Sequence, residues 1–214
     1  MASTVSGDLD QHFLVNEDRV AEMVGALGLA PTDDVVELGA GAGTVSRRIA
    51  PCRSLTLVDL DEGLCRRLRE SLRRPEGAWS GGAGSPASCP EVSVVCGDAL
   101  RVLRGRRANK VMSNLPYNLT GAVLELLGEL MARHSDPRGA GAPDTRTGTG
   151  TVAGAPRRKP EVAVVAARLG DVDARAWPGL RIERVCVMEP DDFSPRQPFP
   201  SEALRVTPAA VRLP

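Results

Sequence analysis

The chain has 214 residues, with 27 Lys and Arg against 27 Asp and Glu; 42% of it is apolar and only 3% aromatic. The length suits a single α/β domain spanning residues 1–214, with a core of Val, Leu and Ala as buried parallel strands favour. Zero net charge argues against a dedicated basic nucleic-acid module, and so few rings argue against a broad single-strand binder.

Residues 1–10 read as a polar lead-in. Asn16 is a candidate helix N-cap, with Glu17 and Asp18 in the first turn where acids suit the helix dipole. Val20, Met23, Val24 and Leu27 share one face at i, i+3, i+4, i+7 spacing, and Gly28 is a plausible stop. Val35-Val36-Glu37-Leu38 then runs into Gly39-Ala40-Gly41-Ala42-Gly43, and a helix-like stretch covers 45–50. This reads as strand, tight turn and helix start. Only glycine lets the backbone approach a ligand there without a Cβ clash.

Residues 54–58 read as a second buried strand, with Asp59 at its end and Asp61 just beyond. An acid about 20 residues past the glycines is where a nucleoside-binding α/β unit puts its ribose-hydroxyl acceptor. Gly39, Gly41 and Gly43 run G-x-G-x-G, short of the dinucleotide spacing. That favours a nucleoside lacking a pyrophosphate, such as S-adenosylmethionine, over NAD.

Residues 92–96 form a third strand, closed by Gly97-Asp98-Ala99-Leu100. Asp98 has two readings, an acceptor for an adenine amino group or the N-cap of the next helix. Residues 109–113 are strand-like, and Asn114-Leu115-Pro116-Tyr117 closes them. An amide, a Pro-set turn and a ring at a strand end make a site for a planar amine. The Asn114 side-chain oxygen and the Leu115 carbonyl can both accept from an exocyclic NH2, and the Tyr117 ring can stack on a base. Residues 161–168 read as a fifth strand. Residues 75–90 and 134–160, rich in Gly, Ser, Thr and Pro, read as flexible loops. Alternating strands and helices predict a mostly parallel sheet.

Arginines cluster at 66–74 (Arg66, Arg67, Arg69, Arg73, Arg74), at 101–107 (Arg101, Arg104, Arg106, Arg107) and beside Lys159 (Arg157, Arg158). Two readings stand for them: phosphate contacts, which the forked guanidinium suits, or solvated faces. The five cysteines, Cys52, Cys65, Cys89, Cys96 and Cys186, form no C-x-x-C pair, and with only two histidines no metal-site spacing arises. Reduced thiols predict a cytoplasmic protein. No apolar run approaches membrane-span length, and residues 1–10 carry neither an apolar h-region nor Arg.

Taken together, these motifs resemble the ribosomal RNA adenine N6-dimethyltransferase family, including its macrolide-resistance methylase branch. Gln11-His12-Phe13-Leu14-Val15 is similar to the N-terminal motif that lies over the cofactor. Residues 37–43 match the glycine motif, and Asp59, followed by Leu60, stands where the family usually has Glu. Residues 97–100 match the adenine-contacting motif, and Asn114, Leu115, Pro116 and Tyr117 match the catalytic one. Phe193-Ser194-Pro195 followed by Ser201 resembles the F-x-P…S segment, whose Phe helps hold the target base.

The resemblance implies a Rossmann-like S-adenosylmethionine-dependent methyltransferase domain with a mostly parallel seven-stranded sheet flanked by helices. It implies cofactor contacts from Gln11, His12, Phe13, Leu14, Glu37, Gly39, Gly41, Gly43, Asp59, Leu60, Gly97, Asp98, Ala99 and Asn114. It implies an acceptor base between Tyr117 and Phe193, and an RNA partner, rRNA or pre-ribosome. Family members continue into a small helical C-terminal domain that helps grip RNA, and carry a longer segment after the fifth strand; this sequence shows neither. Two alternatives therefore stay open. One is a methyltransferase of the same fold acting on a small molecule. The other is a catalytically silent ribosome-assembly or RNA-binding protein.

Overall fold

The computed structural model describes residues 12–73, 90–132 and 159–209. Nine strands and four α-helices lie within them: β1 Phe13–Leu14, α1 Glu17–Leu27, β2 Asp34–Leu38, β3 Ser54–Asp59, α2 Glu62–Leu72, β4 Glu91–Cys96, α3 Ala99–Gly105, β5 Lys110–Ser113, α4 Thr120–Ala132, β6 Val162–Arg168, β7 Leu180–Met188, β8 Phe193–Ser194 and β9 Ser201–Pro208. Seven strands form one sheet in the order β4-β3-β2-β5-β6-β9-β7. β4, β3, β2, β5 and β6 are mutually parallel, and β9 runs antiparallel between β6 and β7. The fold is therefore the mostly parallel, helix-flanked α/β sheet that the sequence predicts.

Alternation along each strand sends side chains to two cores. On one face Val35, Leu55, Leu57, Met112 and Val164 meet Val20, Met23, Val24 and Leu27 of α1. On the other, Val36, Leu38, Val58, Val111 and Val165 meet Leu103 of α3 and Val123, Leu124, Leu127 and Met131 of α4. Each of those four α1 side chains is at most 9% exposed. At ~1.5–3 kcal/mol per large apolar side chain buried, that one face outweighs any single cap or ion pair on α1. The cap is nonetheless made: Asn16 Oδ1 accepts from the Asp18 and Arg19 amides, and Gly28 ends the helix at φ +59°.

One local expectation is corrected. Residues 45–50 form a single 3-10 turn, Ser46–Arg48, and not an α-helix. Val45 supplies no capping side chain, and Pro51 bars the α conformation at Ala50 and cannot extend the helix. β6 and β7 are joined through one further 3-10 turn, Ala174–Ala176, capped by Asp173. The two Gly-rich segments expected as loops lie, except for Pro90, Lys159 and Pro160, outside the described residues. No helix among the described residues is long and apolar enough to cross a membrane.

Candidate active site

The carboxyl ends of β2, β3, β4 and β5 open onto one cavity of about 770 Å³. Ligands of open α/β sheets bind at this edge, because strand ends and helix starts there leave backbone groups free. Its wall is built from four turns, one after each strand.

The turn after β2 is held by its neighbours. The Gly39 amide donates to the Val58 carbonyl at 2.9 Å, and Gly43 donates to Ala40 at 2.8 Å. Gly39 has φ +75°, and a Cβ there would stand 2.7 Å from the Asn114 carbonyl oxygen. Gly41 has φ +55°, and a Cβ there would meet the Phe13 ring at 3.1 Å. Both positions thus need glycine for conformation and for space. Gly39 and Gly41 line the cavity; Gly43 stands behind the wall, closing the turn.

Asp59 ties this turn to the next. Its Oδ2 accepts from the Gly41 amide at 2.8 Å and its Oδ1 from the Asp61 amide at 2.9 Å. Each carboxylate oxygen retains a further lone pair for a ligand hydroxyl. Beside it Leu60, 74% exposed, leaves a large apolar side chain on the rim. After β4, Asp98 caps α3, with Oδ1 accepting from the Arg101 amide at 2.7 Å. It lines the cavity as well, with Gly97 and Ala99. The capping reading of Asp98 is thus the one its hydrogen bond carries, and among the described residues nothing donates to the second oxygen.

Glu37 is the unusual charge of the wall. It is 1% exposed, and among the described residues neither its Oε2 nor the Ser46 Oγ has a hydrogen-bond partner. Burial pushes its carboxyl up to about 8; the Ser46 hydroxyl offsets part of that rise, and the Asp59 charge adds to it. Glu37 is among the residues of the cavity wall, and an unmade hydrogen bond at a buried oxygen costs free energy.

The roof is the N-terminal segment. His12, Phe13 and Leu14 line the cavity, while Gln11 lies outside the described residues. β1 pairs antiparallel with β8, His12 Nδ1 lies 2.9 Å from the Pro195 carbonyl oxygen, and Asn16 Nδ2 donates to Asp192 at 2.6 Å.

Asn114, Leu115, Pro116 and Tyr117 all line the cavity. The Asn114 amide N–H donates to Leu38 at 3.0 Å, fixing the strand end, and no hydrogen bond among the described residues uses its side chain. The Tyr117 hydroxyl donates to Gln197 Oε1 at 3.0 Å, and Gln197 Nε2 donates to Ser201 at 3.1 Å.

Phe193 is a correction. It is 5% exposed, paired opposite Leu14 and built into the α1-side core, and it does not reach the cavity wall. From the same segment of the chain, Phe199 lines the cavity, flanked by Pro198 and Gln197. Nothing local marks these residues; the only sequence signal is that Phe199 is one of three phenylalanines in the chain. Among the described residues no group of three or more His, Cys, Asp or Glu side chains could hold a metal ion.

Two comparisons of structure reach the same fold. The chain superposes on a dimethyladenosine transferase from Plasmodium falciparum with a TM-score of 0.65 at 16% identity, covering 92% of this chain and 64% of that one. It superposes on the 23S rRNA methyltransferase ErmE with a TM-score of 0.63 at 20% identity, covering 92% and 70%. In sequence the chain is 33% identical over 129 residues to the ribosomal RNA small subunit methyltransferase A of Synechococcus sp. (strain CC9605), covering 59% of this chain and 43% of the relative. It is 32% identical over 129 residues to the protein of the same name from Parasynechococcus marenigrum, covering 59% and 39%. The chain thus spans less than half the length of these relatives. A model of the family described as ribosomal RNA adenine dimethylase matches residues 3–133, from the roof through all four strand-end turns to the end of α4, and the chain belongs to that family.

Proposed function

We propose that this chain is an S-adenosylmethionine-dependent methyltransferase acting on the N6 amine of adenine in ribosomal RNA. The observation that carries the reading is the Asn114 turn: a side-chain amide unused by the described residues, at a strand end locked to Leu38, beside a ring anchored through Gln197. The cofactor fits the residues present. Glu37 offers an idle buried oxygen for a donor, Asp59 and Asp98 keep acceptor capacity on the rim, and the turn at Gly39 and Gly41 admits a ligand against backbone. When bound, S-adenosylmethionine supplies an electrophilic methyl group.

The chain's own part is orientation. Asn114 Oδ1 and the Leu115 carbonyl accept from the two N–H bonds of the acceptor amine, drawing its lone pair out of conjugation with the ring. Tyr117 offers a face to the base and is kept from swinging by Gln197. His12, Phe13 and Leu14 keep water from the reacting groups. Positioning of this kind supplies much of a transfer barrier's reduction.

The test is methyl transfer from radiolabelled S-adenosylmethionine into deproteinised small-subunit rRNA and into a small-molecule extract, with wild type and Asn114→Ala. Label in RNA that disappears in Asn114→Ala, with cofactor affinity retained, is the expected result. Label only in small molecules would transfer the site to a different acceptor class, and no label from a cofactor-binding protein would favour the silent assembly role.

A further inference from the structure

Arg168 ends β6 next to the cavity, and its guanidinium carbon lies 4.5 Å from the centroid of the Phe199 ring. Phe199 in turn stands against Tyr117, with ring centroids 5.7 Å apart and planes tilted by 59°. Phe199 and Tyr117 both line the cavity; Phe193, the ring expected there, is in the core. Arg168 is exposed, and among the described residues no carboxylate pairs with it. The acid next to its β9 partner Ser201 is Glu202, which is taken by Arg184 at 2.6 Å and by the Gly170 amide at 3.0 Å.

A guanidinium lying on a ring keeps its N–H edge free, and that edge is a two-pronged donor matched to phosphate. An unpaired cation beside an aromatic wall is therefore complementary to a base that carries its backbone phosphate. A small amine without an anionic group has nothing to offer Arg168.

Resting on the reading of the cavity as an adenine-methylating site, we propose that Phe199 and Arg168 form a nucleotide clamp. Phe199 stands in the cavity wall against Tyr117 of the Asn114 turn, where it meets the acceptor base, and Arg168 takes that nucleotide's phosphate while fixing the plane of the ring. The ligand class is RNA presenting an unstacked purine, and the two residues set that specificity.

The experiment measures transfer to small-subunit rRNA across a salt series for wild type, Arg168→Ala, Arg168→Lys and Phe199→Leu, with S-adenosylmethionine affinity by calorimetry. Phe199→Leu keeps an apolar side chain in the wall while removing the ring. Arg168→Ala is expected to raise KM for RNA about tenfold with little change in kcat, and to reduce the slope of log KM against log salt by about one. Arg168→Lys should restore the slope but only part of the KM. Phe199→Leu should lower kcat/KM for RNA, and every variant should bind S-adenosylmethionine as wild type does. A wild-type KM and salt slope in Arg168→Ala, alongside Asn114-dependent transfer to RNA, overturns the clamp and leaves the methylation reading standing. Loss of cofactor binding in Arg168→Ala makes the residue structural and also overturns it. Wild-type protein that labels no RNA overturns both.

Discussion

The Cβ that Gly39 lacks would stand 2.7 Å from the carbonyl oxygen of Asn114. The turn after β2 and the turn after β5 are therefore in backbone contact, and the residue with the unused amide is seated directly on the glycine motif. Space in the one turn and aim in the other are a single property of the fold.

Gly39→Ala should cost at least about 2 kcal/mol, since it combines a left-handed φ with a clash against backbone that cannot swing aside. Gly128→Ala, inside α4 with nothing within 4 Å of the new Cβ, should instead stabilise by about 0.5–1 kcal/mol. Urea unfolding midpoints of the two variants test the pair, and equal midpoints would refute the contact argument.

Asp59 holds two backbone amides, those of Gly41 and Asp61. Asp59→Ala frees both, so the glycine turn loosens and two donors lose their acceptor. S-adenosylmethionine affinity should fall about tenfold or more, in line with the ~1–3 kcal/mol of an unmet buried partner. Asp59→Asn should do nearly as much harm, because one side of an amide presents N–H to an N–H. An unchanged calorimetric affinity in either variant would contradict this role.

Glu37 makes stability depend on pH. Its folded carboxyl titrates near 8 against an ordinary 4.5, raised chiefly by burial. Below 4.5 the group is protonated folded or unfolded, and its burial is at its cheapest. As pH rises from 4.5 to 8 the unfolded chain gives up this proton and the folded one keeps it, so stability falls, by roughly 1.4 kcal/mol per pH unit at most. Above 8 the loss is complete. Glu37→Gln should flatten this slope and be the more stable protein at pH 7. Parallel denaturation curves for the two proteins from pH 5 to 8 would rule out the buried, partnerless carboxyl.

Tyr117→Phe keeps the ring and removes the donor to Gln197, whose side chain is buried with only the Ser201 bond left. Stability should drop by about 1–3 kcal/mol. Transfer should fall less than in Tyr117→Ala, which removes the stacking face altogether. If kcat drops equally in both variants, the hydroxyl and not the ring is the part that matters.

What the sequence makes legible is what strands encode locally. Apolar runs at 35–38, 54–58 and 92–96 end in glycine or acid, and each end arrives at the same sheet edge because parallel neighbours share direction. Glu37 is visible as an acid in an apolar run, but that its Oε2 finds no partner among the described residues is a matter of tertiary packing. The stretch 45–50 has helix-like composition, and Pro51 ends the turn before a helix can form. Phe193 is drawn into the core where β8 pairs with β1, a pairing between residues 180 or so positions apart in the chain, as are His12 and Pro195. No local pattern reports a pairing of that span.

The same clasp has a consequence for biosynthesis. Asn16 is fastened to Asp192 and His12 to Pro195, separations of 176 and 183 positions. While a ribosome is still making β6, the four strand-end turns can exist, yet the roof has no mate and Gln197 and Phe199 have not been added. Contacts of such long sequence separation form late and slowly. Ligand competence should therefore emerge near the close of synthesis in one step, leaving nascent chains stalled before residue 190 folded in part and unable to engage the cofactor.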